Sequence, residues 1–421
     1  SMPRHRFCPG LLAGFLLFAS AGLRAGEVEV LHYWTSGGEA QSVGELKAAM
    51  AARGHSWKDF TVSGGGGQNA MAVLKQRVLA GNAPAAALIK GPTIQEWADL
   101  KVLTNLDAMA QFDKWDELLP KVIADQMKHK GRYVAVPVNV HRVNWLWANA
   151  AVLQRAGVNT LPRTYDEFFA AADRVRAAGF VPLAHGGQDW QDFTVFESVA
   201  LGVGGPEFYS AALVRLERAA LASEPMRKSL EVFRRLKAYT DDASPGRDWN
   251  ASTELVIKGK AGFQFMGDWA KGEFMAAGQH AGKEFVCLPA PGTAGAYTYN
   301  VDSFAMFELK GWEAQKSQGY LAYLLMGREF QEKFNLRKGS IPARLAMDMS
   351  KFDDCARTSG QDFVASSKAG TLLPSVAHGM AVSPAAQAAL RAAVSEFWSS
   401  DKVTVGDTMG KFLLANAAKA K

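Results

Sequence analysis

Val28-Glu29-Val30-Leu31-His32-Tyr33-Trp34 alternates through apolar positions and then breaks into the polar, glycine-bearing run Thr35-Ser36-Gly37-Gly38-Glu39. The alternation reads as a strand, and the run as the loop that ends it. The period then changes. Val43, Leu46 and Met50 recur at helical spacing, with Gly54 as the stop. A short strand at Phe60-Thr61-Val62 follows, then a glycine run from Gly64 to Gly67 and a helix holding Met71, Leu74 and Val78. An apolar strand from Ala85 to Ile89 ends at Lys90-Gly91. Strand–helix–strand alternation with short loops predicts a parallel α/β sheet. Ligands of such sheets bind outside the carboxyl ends of the strands, where Trp34 to Glu39 and Lys90 lie.

Outward from this block the same grammar continues. Tyr133-Val134-Ala135-Val136-Pro137 is a strand capped by proline, and Thr164-Tyr165-Asp166-Glu167 has the spacing of a capping box. Phe168, Ala172 and Val175 carry that helix's apolar face to a stop at Gly179. The Gly64–Gly67 run lacks the Gly-Lys-Ser/Thr ending of a phosphate loop and reads as a flexible turn. Ala385 to Ala418 reads as packed helices, with a frayed Lys419-Ala420-Lys421 tail.

The chain has 421 residues, 48% of them hydrophobic and 21% charged, which excludes disorder. Single cores stop growing at roughly 250–300 residues, so two lobes are expected. The net charge of +6 is spread along the chain, whereas nucleic-acid binding wants a concentrated basic stripe. Ser1-Met2 reads as a cloning scar; Arg4, His5 and Arg6 then precede the apolar run Leu11 to Ala19. That run has signal-peptide length and is shorter than the ~20 residues a bilayer span needs. Residues 1–25 read as a signal peptide cleaved after Ala25. Removal takes away Arg4, Arg6 and Arg24, leaving 396 residues and a net charge of +3. Cys8 precedes the apolar run, so it does not mark a lipid anchor. Cys287 and Cys355 remain, and the sequence leaves open whether they pair.

Three patterns then stand in order. The first runs from Pro137 through Trp145-Leu146-Trp147-Ala148-Asn149 and Val152-Leu153-Gln154-Arg155-Ala156-Gly157 to Leu161-Pro162-Arg163-Thr164-Tyr165-Asp166-Glu167-Phe168. The second is Gly262-Phe263-Gln264-Phe265-Met266-Gly267-Asp268-Trp269-Ala270, and the third Lys338-Gly339-Ser340-Ile341-Pro342-Ala343-Arg344. Together they resemble the extracellular solute-binding proteins of family 1, the maltose-binding-protein type that serve sugar ABC importers. Tyr33-Trp34-Thr35-Ser36-Gly37-Gly38-Glu39 is most similar to the glucose-binding proteins of Gram-negative bacteria, with Tyr33 where close relatives often carry a second Trp. The resemblance implies a periplasmic-binding-protein type II fold: two α/β lobes with a hinge and discontinuous chain crossings. Lobe one would combine residues 27–136 with 297–345, and lobe two 137–296 with 346–421. It also implies a monomeric periplasmic receptor that hands a monosaccharide to the permease subunits of an ABC importer.

A sugar offers hydroxyls and two CH-rich faces, so its site needs aromatic walls and a few convergent polar groups. Tyr33, Trp34, Trp249 and Trp269 flank polar residues and can supply the walls. Glu39, Asn300 and Asp302 can accept from hydroxyls, and Lys90 and Lys338 can donate, with the extra strength that charge gives a hydrogen bond. Tyr299-Asn300-Val301-Asp302 alternates within one expected strand, which points Asn300 and Asp302 the same way. His378 joins the set through the resemblance, and His141 and Arg142 are weaker candidates near the hinge. Glucose is the sugar the resemblance implies, with galactose, mannose, xylose or an oligosaccharide as alternatives. A secreted carbohydrate-active enzyme is the reading from another class, with Glu39 and Asp302 as its carboxylate pair. No His-x-x-x-His, Cys-x-x-Cys or Gly-x-Ser-x-Gly occurs, and no metal, cofactor or catalytic residue is implied.

Overall fold

The computed structural model describes residues 26–418; the expected signal peptide and the Lys419–Lys421 tail lie outside the described residues. Strand β1 (Glu27–His32) pairs in parallel with β2 (Ser56–Thr61) and with β3 (Ala86–Leu88). Val28, Val30 and Leu31 are all buried, because a parallel strand is covered on both faces. Helix α1 (Gly37–Ala51) begins inside the stretch expected to be a loop. Ser36 caps it by accepting from the Glu39 N–H, and the Glu39 carboxylate accepts in return from the Ser36 N–H. Val43, Leu46 and Met50 face the core as their spacing predicts. In helix α2 (Gln68–Leu79) Leu74 is fully buried and Met71 and Val78 pack half-buried against the same core, as their spacing predicts, with Ala70 buried beside them.

Two distant segments complete this sheet. Ser303–Met306 runs antiparallel beside β3, and Ala135–Pro137 runs antiparallel beside Ser303–Met306. The sheet is therefore mixed rather than parallel throughout. A second sheet takes Phe285–Pro289, Trp145–Asn149, Ala261–Phe265 and Val181–Leu183 in that order. Between the two lies a small third sheet of Ile341–Pro342, Asn139–Arg142, Tyr297–Asn300 and Leu372–Pro374. It is made of crossings. Chain leaving the first sheet at Pro137 passes through Asn139–Arg142 into the second, and returns through Tyr297–Asn300 to Ser303–Met306. The strand expected over Tyr299 to Asp302 is accordingly broken, with Val301 and Asp302 as the joint between two sheets.

One apolar core gathers around Val30, Leu88, Val136 and Phe304, and a second around Phe168, Phe196, Phe233 and Phe263. The helix Tyr165–Ala177 starts at Thr164 as expected, but Glu167 reaches back to the Arg163 N–H (2.7 Å) rather than to that of Thr164. The helices Pro384–Ser399 and Val405–Ala418 pack together at the end of the chain. Among the described residues no helix is long and apolar enough to cross a membrane.

Cys287 and Cys355 form a disulfide across 68 residues of sequence. It ties the second sheet to the helix Asp354–Ala369, which follows the last crossing. Closing a loop of that length removes unfolded-state entropy worth about 4 kcal/mol. Cys355→Ser is expected to lower denaturant stability by up to that amount, and reductant to do the same to the unaltered chain while leaving the serine variant unchanged.

Candidate functional site

All ten residues singled out from the sequence line one cavity: Tyr33, Trp34, Glu39, Lys90, Trp249, Trp269, Asn300, Asp302, Lys338 and His378. Each arrives from a terminus of an element. Tyr33 and Trp34 follow β1, Lys90 follows β3, and Asn300 ends a crossing strand. Trp249 and Trp269 open the helices Trp249–Ile257 and Trp269–Ala276, whereas Lys338 closes Arg328–Lys338. His378 sits in the turn after Leu372–Pro374.

The floor of the cavity is a chain of charges. His141 bonds through Nδ1 to Asp268 and through Nε2 to Asp302 (2.6 Å), so both its ring nitrogens are taken. Burial alone would lower the imidazole's pKa, but Asp302 and Asp268 outweigh it and raise it, which makes His141 a cation donating from both nitrogens. Burial alone would likewise raise the Asp302 carboxyl, yet His141, Lys90 and Lys338 hold it well below the usual carboxylate range. Asn139 donates to Asp302 Oδ2 (2.8 Å), and Lys90 Nζ stands 3.4 Å from Oδ1. At the other wall Lys338 Nζ lies 3.4 Å from Glu39 Oε2. Both lysines also stand against aromatic rings, Lys90 at Tyr33 (5.7 Å) and Lys338 at Trp34 (5.2 Å).

Asn300 is different: its Oδ1 is buried and finds no hydrogen-bond partner among the described residues. An orphaned acceptor costs about 1–3 kcal/mol when nothing satisfies it. His378 offers a second acceptor. The Thr194 hydroxyl donates to Trp190 O (2.8 Å), so at the 2.9 Å contact with His378 it is Nε2–H that donates. The ring is neutral, because burial and the charges of Lys90 and His141 hold its pKa well down, and Nδ1 is left bare.

His141, a weaker candidate near the hinge, lines the cavity as well, and so do Gly65, Gly66 and Trp190. The glycine run is no mere flexible turn. A Cβ on Gly65 would stand 2.5 Å from Trp190 Cζ2, so glycine there is what lets the loop lie flat on the indole. Trp190 went unnoticed because it opens an ordinary-looking helix, Asp189–Tyr209. The glycine run itself was the signal for it. Arg142, by contrast, does not reach the cavity. Its guanidinium donates to Asp362 (2.6 Å) and to Ala296 O (3.0 Å), bracing the crossing strands from behind.

Glycoside hydrolysis needs one ionised carboxylate and one free to act as the acid. Asp302 is held ionised by its neighbours, and Glu39 is committed to the α1 cap and to Lys338.

The family described as bacterial extracellular solute-binding protein matches residues 41–308. A probable sugar-binding periplasmic protein of Brucella melitensis biotype 1 is 45% identical over 89% of this chain and 88% of its own length. An uncharacterized ABC transporter extracellular-binding protein of Pyrococcus horikoshii is 32% identical over 93% of this chain and 89% of its own. Among solved structures, a chitin oligosaccharide binding protein superposes with a TM-score of 0.78 at 16% identity. That match covers 94% of this chain and 99% of the other, and it shows a shared fold.

The charge chain has a defined pH window. Asp302, depressed, contributes stability above its ordinary value of about 4 and loses it as pH falls through the lower folded value. His141, raised, contributes below its ordinary value of about 6.5 and loses it as pH climbs through the higher folded value. Removing one member strands a buried charge, so Asp302→Asn is expected to cost about 3–5 kcal/mol near pH 5. Urea melts from pH 2 to 9 check this: the acid limb should flatten in the variant.

Proposed function

The chain belongs to the bacterial extracellular solute-binding protein family, and we propose that it is the periplasmic receptor that captures one monosaccharide, glucose first, for an ABC importer. The observation that carries the ligand class is Asn300 Oδ1, a buried acceptor without a partner in a cavity walled by Trp34, Trp190, Trp249 and Trp269. Aromatic faces suit the CH face of a pyranose, and an acceptor sealed from water calls for a donor that a neutral hydroxyl supplies. The lysines and carboxylates are nearly balanced, which favours an uncharged ligand over a sugar acid. Tyr33, Trp34, Glu39, Lys90, Trp249, Trp269, Asn300, Asp302, Lys338 and His378 form the binding set in this reading, and none is catalytic.

The moving bodies in this reading are residues 27–136 with 297–345, and 137–296 with 346–421. The two apolar cores support them, although Phe352 and Phe363 of the later segment pack with the first core and make that helix part of the junction. Ligand bridging both bodies would favour the closed arrangement, and permease subunits would read that arrangement from a monomeric receptor. The signal peptide at residues 1–25 supplies the export.

Thermal shift and calorimetry against about twenty mono- and disaccharides test the reading. Glucose is expected to bind and to raise the melting temperature. Galactose, mannose or xylose binding in its place would replace the sugar but keep the receptor, and turnover of any glycoside would overturn it. Asn300→Ala is expected to weaken sugar binding at least tenfold, about 1.4 kcal/mol, while the melting temperature without ligand does not fall, since the unpartnered acceptor is removed. Unchanged affinity would remove Asn300 from the site.

A further inference from the structure

Glu197 is fully buried outside the cavity, on the same face of the helix Asp189–Tyr209 as Trp190 and Thr194. Its carboxylate holds the turn that carries His378. Ser375 Oγ lies 2.6 Å from Oε1, and the Ala377 N–H donates to Oε2 (2.9 Å). Ser375 Oγ in turn accepts from the His378 N–H (3.2 Å). Residues on one helix thus hold His378 twice, Thr194 at the ring and Glu197 through the backbone behind it.

The hydrogen count around Glu197 is short by one. Tyr209 has a single hydroxyl proton and two acceptors, Pro374 O at 2.9 Å and Glu197 Oε2 at 3.2 Å. Its oxygen is also approached by the Val376 N–H (3.3 Å). One proton on Glu197 removes the shortage, because the acid then donates to Tyr209 and Tyr209 donates to Pro374. No Lys, Arg or His side chain among the described residues bonds to Glu197. The titratable group facing it is Tyr209, from the helical stretch beyond the break at Gly205–Pro206, with Tyr299 behind Tyr209 on the strand paired with Leu372–Pro374.

We propose that Glu197 is the positioning residue for His378, and that gain or loss of its proton sets how firmly the 374–378 turn presents that ring to ligand. The assignment rests on the reading of the cavity as a sugar site. Burial pushes the Glu197 carboxyl up to about 7, with the Ala377 N–H and the Ser375 and Tyr209 hydroxyls pulling it partly back. A raised folded value means that the protonated network is complete below the ordinary carboxylate range of about 4.3. Its contribution to stability is lost as pH rises through the folded value, because the charge is buried. The hold on the turn changes with it: Ser375 and Ala377 bond the charged carboxylate more tightly, while Tyr209 is drawn from Pro374 O to Glu197.

Two measurements on the full chain test this. In calorimetry with the sugar found by screening, wild-type affinity is expected to change about fivefold in one step between pH 6 and 8.5. Glu197→Gln is expected to hold its affinity across that range, and Glu197→Ala to bind more weakly throughout. A step that persists in Glu197→Gln, or a wild type without a step, overturns the proposal. The second measurement needs no sugar. Carbon-13 NMR of the side-chain carboxyls should give Glu197 a midpoint near 7, and the His378 ring nitrogens should shift with that midpoint in wild type and stay still in Glu197→Gln. An ordinary Glu197 midpoint, or a His378 ring indifferent to it, overturns the proposal as well. A chain that binds no sugar yet shows the linked titration defeats the receptor reading while sustaining the one for Glu197.

Discussion

Everything in this molecule is arranged around a buried histidine held between two carboxylates. Asp268 precedes the helix that Trp269 opens, His141 lies on one crossing strand, and Asp302 lies in the joint after another. Hydrogen bonds between them fasten the crossings to each other at the depth where the cavity has its floor. Burying such a charge is costly unless it is paired on every side, and here each member has its partners. The same pairing gives the cavity its character: Asp302 stays an acceptor, and Lys90 stays charged because Tyr33 and Asp302 outweigh the burial that would otherwise neutralise it. Hinge and floor are one construction.

How much of this was legible in the sequence follows from the range over which each signal acts. Local periodicity was readable: Val43, Leu46 and Met50 point inward as their spacing requires. Residues at element ends beside polar neighbours were readable too, which is why Trp34, Lys90 and Asn300 meet in one cavity. What escaped depends on pairings between distant segments. Ser303–Met306 inserts antiparallel into an otherwise parallel sheet, and nothing in the composition of β3 announces the partner. The break at Val301 and Asp302 was hidden because alternation continues unbroken through it.

Glu39 shows why a single residue resists a single reading. Its carboxylate closes a capping box with Ser36 and stands 3.4 Å from Lys338 in the cavity wall. The first role is local and follows from the Ser-x-x-Glu spacing; the second needs a residue almost three hundred positions away. α1 gains a second anion at its first turn from Glu273, which accepts from the Gly38 N–H (2.8 Å) and from Ser36 Oγ (3.0 Å). A helix N-terminus favours negative charge. Here that preference is met by groups from both sides of the cavity, so the helix end serves as a seam as well as a cap.

The seating of Gly65 on Trp190 ties the surroundings of one indole to a single contact. An indole pressed against backbone sits in a different dielectric from one facing water, and its emission colour follows that difference. The contact joins the loop between β2 and α2 to the helix Asp189–Tyr209, so Trp190 emission, once resolved from that of the chain's other tryptophans, follows the gap between those two segments.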